Sequence, residues 1–134
     1  MKWNVLLGGA ALALVVPSLC LAGDAARGQH VFKAKCAACH TAEAGGANKV
    51  GPGLFGVMAR GAGRAAGFRY SAGFMQAVDK GLRWDESSLD QYLYNPSALL
   101  IQQAGSAAAK SSKTFRLPQA EDRADVIAFL ATLK

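Results

Sequence analysis

Hydrophobic and polar positions divide the chain into two unequal parts. Val5 to Val16 is an uncharged run of twelve residues, preceded by the positive start Met1-Lys2-Trp3-Asn4 and broken by Pro17-Ser18. A run this short does not span a bilayer as a helix, so no stable membrane insertion is expected. Cys20-Leu21-Ala22 places small residues where a signal peptidase reads them, which predicts a secretory signal over residues 1–22, removed after Ala22. A lipid-modified Cys20 is disfavoured, because Leu19 is bulky where such sites want a small residue.

Residues 23–134 are enough for one modest domain. Asp24 is a suitable N-cap for a helix running from Ala25 toward Cys39, with Val31 and Phe32 as its apolar stripe. Between Thr41 and Gly67 the helical pattern stops. Glycine recurs at 45, 46, 51, 53, 56, 61, 63 and 67, with Pro52 among them, and this predicts a long structured loop. So long a loop in a small domain is expected to be shaped around something, such as a bound cofactor. Helical spacing returns at Ser71 to Lys80, stopped by Gly81. A further helix opens at Asp85-Glu86 and runs through Leu89, Tyr92 and Leu93 to Asn95-Pro96. Pro96 starts a turn or two more up to Gln103, and the small residues of Ala104 to Ser112 read as loop. The last helix, Gln119 to Leu133, carries Glu121 and Asp122 in its first turn, where acidic groups complement the helix dipole. Its Val126, Phe129, Leu130 and Leu133 repeat at helical spacing. No segment alternates as a strand does. The predicted fold class is all-α.

Charge narrows the partners. The chain carries +6 at pH 7, and loss of Lys2 with the signal leaves +5. The positive residues are scattered rather than gathered in one stripe with interleaved aromatics, which argues against a nucleic-acid partner. A shallow positive field of this kind steers docking onto acidic partner surfaces.

Cys36-Ala37-Ala38-Cys39-His40 carries the chemistry. C-x-x-C-H reads as attachment of a c-type haem. On the last turn of a helix, residues three apart share a side, so both thiols can reach the two vinyl groups of one haem. His40 then lies beneath the ring with a nitrogen aimed at iron. Other readings explain less. A dithiol redox pair usually follows a strand in a βαβ pattern, absent here. A zinc site needs a second pair of ligands and only His30 remains. A plain disulfide leaves the histidine and the glycine-rich loop without a role.

With these residues the chain resembles the class I c-type cytochromes, in particular the small soluble bacterial members related to mitochondrial cytochrome c. The likeness covers residues 23–134. It implies a small fold in which the N- and C-terminal helices cross and loops wrap one covalently attached haem. Gly28 and Phe32 match the family's first helix, and Phe129 matches the aromatic that meets it. Gly51-Pro52 with Leu54 matches the stretch in which a proline carbonyl orients the proximal histidine. Arg60, Tyr70 and Trp84 fall on positions that hydrogen-bond the haem propionates in this family, within Gly67-Phe68-Arg69-Tyr70-Ser71 and neighbouring phrases. Tyr92 and Leu93, in Tyr92-Leu93-Tyr94-Asn95-Pro96, would line the distal side.

The departure lies at the sixth ligand. The family uses a methionine thioether there, but Met1, Met58 and Met75 are the methionines of this chain, none at that place. Aligning Lys110-Ser111-Ser112-Lys113-Thr114-Phe115 on Phe115 puts Lys113 at the methionine position. A neutral Lys113 amine on the iron, or Lys110 in its stead, would favour ferric iron and lower the potential. With Lys113 charged at the surface, the site would instead be water-bound or open. Two functions follow. One is a periplasmic monomer carrying single electrons between redox partners, without enzymatic activity. The other is a haem protein with an open distal site that binds or reduces a small ligand such as nitric oxide.

Overall fold

The computed structural model describes residues 22–134, so the expected signal segment, except its last residue, lies outside the described residues. Six α-helices follow in order: α1 (Ala25–Lys35), α2 (Val57–Arg60), α3 (Ala72–Asp79), α4 (Glu86–Tyr94), α5 (Pro96–Ala104) and α6 (Ala120–Ala131). A single 3-10 turn, Ala107–Ala109, lies between α5 and α6, and the described residues contain no strand.

The helix starts follow from their caps. The side chains of Asp24, Ser71, Asp85 and Asn95 accept hydrogen bonds from backbone N–H groups that the first turns of α1, α3, α4 and α5 leave free. Asp85 and Ser88 cap reciprocally. Pro96 occupies the first position of α5, where its missing N–H costs nothing.

Two expectations shift. α1 ends at Lys35, not at Cys39, because the Cys36 and Ala37 N–H groups share the Phe32 carbonyl at 2.8 and 2.9 Å. The attachment motif therefore lies on the tight turn just beyond the helix. There the N–H groups of Cys39 and His40 both donate to the Cys36 carbonyl at 3.0 Å. The glycine-rich loop also contains α2, a single helical turn whose Val57 is buried.

α1 and α6 cross. An added Cβ at Gly28 would lie 1.9 Å from the Asp125 carbonyl oxygen, so glycine is what allows the approach. Beside it the Phe32 and Phe129 rings meet with centroids 5.5 Å apart. Phe32, Val126 and Leu130 are buried at this crossing with Val57 and Leu117. Each large side chain so buried contributes roughly 1.5–3 kcal/mol. Asp125, only 3 % exposed, accepts from the Asp24 N–H at 2.7 Å and from Arg27 Nε at 2.9 Å. On the other face of α6, Arg123 donates to Asp90 at 2.6 Å and to the Leu117 and Pro118 carbonyls.

A second apolar cluster joins α3 and α5 through Phe74, Ala77, Leu99 and Leu100, with Ala62 and Leu82. Trp84 packs against both clusters. What separates them is the site.

Candidate functional site

Between the two clusters lies a cavity of about 580 Å³, walled by Phe32, Val57, Val126 and Leu130 on one side and Phe74 and Leu100 on the other. Protein interiors close voids far smaller than this. A mostly apolar space of that size is built for a large ligand.

One wall carries the attachment motif. Cys36, Cys39 and His40 all line the cavity, and both thiols are free. Burial pushes the Cys36 thiol up to about 11, so it stays protonated near neutrality. The imidazole is oriented by a carbonyl: His40 Nδ1 lies 2.7 Å from the Pro52 oxygen. A carbonyl can only accept, so Nδ1 carries the hydrogen and the Nε2 lone pair is left for a metal. Burial lowers the His40 pKa, the Pro52 bond opposes that, and the Lys113 charge adds to the lowering. The neutral form needed for ligation is favoured. Gly51 makes room for the ring: a Cβ there would lie 2.2 Å from His40 Cε1. The loop that supplies Gly51 and Pro52 is braced by Asn48, whose amide donates to Ala66 O and accepts from the Gly53 N–H, both at 2.9 Å. Sequence reasoning passed over Asn48, although a side chain able both to donate and to accept amid glycines was a usable signal.

The remaining candidates converge on the same space. Pro52, Arg60, Tyr70, Trp84, Tyr92, Leu93 and Lys113 each line the cavity. Arg60 donates to the Phe55 and Gly53 carbonyls at 3.1 and 2.7 Å, which leaves its buried Nε–H without a partner. A buried donor without a partner is costly unless a ligand completes it. The Tyr70 hydroxyl accepts from the Ala65 N–H at 3.0 Å, which keeps its own hydrogen available. Aromatic rings run on from it, with centroids 5.0 Å apart at Tyr70–Phe74 and 5.1 Å apart at Trp84–Tyr92.

The segment before α6 supplies Ser111, Ser112, Lys113 and Phe115 to the cavity wall. Lys113 Nζ donates to the Val50 carbonyl at 3.3 Å, across the mouth. Lys110 does not reach the cavity and lines a separate outer cleft. Met58 and Met75 are absent from the cavity wall; they pack into the two apolar clusters. The mouth itself is apolar and basic, with Val50 61 % and Phe115 44 % exposed near Lys35, Lys49 and Arg69.

These residues fit a covalently held haem. The cavity is lined mostly by apolar side chains, two thiols and an oriented imidazole line it together, and donors at Arg60 and Tyr70 suit the carboxylates. Among the described residues no group of three His, Cys, Asp or Glu can hold a bare metal ion, so a zinc site at the motif is not supported.

The family model for cytochrome c matches residues 25–134. Cytochrome c-550 of Novispirillum itersonii is 50 % identical over 112 residues, which cover 84 % of this chain and 100 % of that one. Among solved structures, cytochrome c2 of Rhodospirillum centenum superposes with a TM-score of 0.76 at 40 % identity, covering 83 % of this chain and 98 % of the other. A methionine-to-lysine variant of ferric cytochrome c-550 from Paracoccus versutus superposes at 0.74 with 38 % identity, covering 83 % and 96 %. The chain therefore belongs to the cytochrome c family as a class I member, an electron carrier rather than an enzyme, with one covalently attached haem c.

Proposed function

We propose that this cytochrome is exported, trimmed after Ala22, and works in the periplasm as a low-potential carrier whose haem iron is held between His40 and Lys113. One observation carries the ligand reading: Lys113 lines the cavity, while Met58 and Met75 do not. A relative of the same fold that carries a lysine in place of a methionine is in keeping with it.

When bound, the haem supplies a one-electron iron couple. The chain's residues set its conditions. Cys36 and Cys39 hold it by thioether bonds, and Pro52 fixes the His40 tautomer and strengthens its donor nitrogen. Arg60, Tyr70 and Trp84 hold the propionates, while Tyr92 and Leu93 exclude water from the distal side. An amine in place of a thioether favours ferric iron, so the potential falls below that of a His/Met relative. Lys35, Lys49 and Arg69 around an apolar mouth suit brief, charge-steered encounters of the monomer with acidic redox partners.

A second reading draws on a different contact. With Lys113 Nζ on the Val50 carbonyl, the distal position would be open to a small ligand such as nitric oxide. Potentiometric titration with optical detection, followed by carbon monoxide on the reduced protein, separates the two. A low midpoint with sluggish or no carbon monoxide binding supports the lysine-ligated carrier. Rapid stoichiometric binding supports the open site and overturns Lys113.

A further inference from the structure

Lys110 and Lys113 lie three residues apart on one exposed segment; both line an outer cleft, but of the two only Lys113 also lines the haem cavity. The segment is anchored at both ends. Ala109 is fully buried on one side, and on the other the Leu117 N–H donates to the Leu93 carbonyl at 2.8 Å. Between these anchors, backbone hydrogen bonds of residues 110–116 number two among the described residues, and both involve serine hydroxyls. Ser111 N–H donates to Ser97 Oγ, and Lys113 N–H donates to Ser111 Oγ, each at 3.0 Å. Ser97 is itself well fixed, in the first turn of α5 beside the buried Leu99 and Leu100. Ser111 also lines the haem cavity together with the half-buried Tyr92.

We propose that Ser97 and Ser111 are positioning residues that present Lys113, and not Lys110, to the haem cavity. The proposal rests on the reading of Lys113 as the distal ligand. The physical reasoning is short. A lysine is a long, flexible side chain, so two lysines three residues apart compete for one metal unless the backbone between them is fixed. The bond to Ser97 pins residue 111 to a rigid helix. The bond from Lys113 then sets the direction of the chain two residues on. Lys110, on the other side of the pin, lines only the outer cleft of about 210 Å³, which Lys113, Thr114 and Arg116 also border. Two hydrogen bonds of ordinary strength shift such a choice by roughly 10- to 30-fold.

The test reads the ferric spin state of the holoprotein in a series of Lys113→Ala variants. Lys113→Ala with both serines intact is expected to be high-spin, because Lys110 is kept out. Adding Ser97→Ala and Ser111→Ala is expected to restore a low-spin, nitrogen-ligated spectrum as Lys110 enters. Adding Lys110→Ala to that protein returns it to high-spin. Ser97→Ala with Lys113→Ala releases one bond and gives an intermediate low-spin fraction, which keeps the series readable if the full combination folds poorly. Ser97→Thr in place of Ser97→Ala retains the acceptor and keeps the high-spin state. Low-spin iron in Lys113→Ala that disappears on Lys110→Ala would overturn the positioning role and leave the Lys113 reading standing. So would a serine-free protein that stays high-spin. A Lys113→Ala spectrum equal to the parent's and indifferent to Lys110→Ala would remove the Lys113 reading itself, and the proposal with it.

Discussion

The two walls of the haem cavity are built on opposite plans. The wall carrying the motif is local and over-determined. Cys36, Cys39 and His40 share one hydrogen-bonded turn, and twelve residues on Pro52 fixes the imidazole at 2.7 Å while Gly51 leaves the ring just enough room. The opposite wall is an exposed segment between two anchors, held by two serine bonds, and its lysine reaches the cavity from more than 60 residues away in the chain, bonding Val50 at the mouth. One wall is crowded around the His40 ring. The other is exposed and held by few bonds.

Substitutions should expose this asymmetry, and His40→Ala should have the largest effect. Without its imidazole the near wall loses the iron's anchor, and the purified protein should contain little or no haem by pyridine haemochrome assay. A fully coloured His40→Ala protein would break the comparison at once. Lys113→Met comes next. A thioether at the distal position should raise the midpoint by roughly 0.1–0.3 V, part of the ~0.8 V over which axial ligands set haem potentials, with the fold retained by circular dichroism. An unchanged midpoint would mean that residue 113 is not at the iron.

Gly51→Ala tests the near wall by stability. Its Cβ would press on the His40 ring at 2.2 Å, and overpacking of this kind costs about 1–3 kcal/mol. The guanidinium midpoint should fall accordingly, with a change of potential as the Pro52 bond is strained. An Ala substitution in the exposed distal segment at Thr114, which does not line the cavity, should leave both unchanged.

Asp125→Asn gives the smallest effect and tests the helix crossing. Hydrogen bonds from Arg27 and the Asp24 N–H hold the Asp125 carboxyl below its usual range. A depressed carboxyl contributes stability that is present above the unfolded-state pKa and lost as pH falls through the folded-state pKa. The variant should therefore be less stable than the parent at pH 7, where that contribution is fully present, and the gap should close below about pH 4, giving the variant a shallower acid limb. An identical acid limb in both proteins would show that the Arg27 pair does not couple folding to pH.

The same asymmetry explains what could be read from the sequence. The motif is short-range, so its spacing alone marked the attachment site, while the Pro52 role came from the family resemblance; helical periodicity with caps located the helices to within a few residues. α1 stopped four residues early because its last turn tightens around the Phe32 carbonyl, which periodicity cannot register. The short α2 was hidden by glycines at 56 and 61 that punctuate it on both sides. The far wall depends on the pairing of Ser97 with Ser111, as the helix crossing depends on that of Arg27 with Asp125. Serines in a small-residue stretch carry no periodic signal. Lys113 was singled out only because Phe115 supplied a register, and of the two lysines it alone lines the haem cavity.

Near-infrared magnetic circular dichroism of the ferric holoprotein tests the proposed ligand pair most directly, since its charge-transfer band reports both axial donors. Ligation by His40 and Lys113 is expected to give a single low-spin band of the histidine–amine kind, absent from the Lys113→Ala protein. A high-spin spectrum in the parent, or a histidine–methionine band, would contradict it.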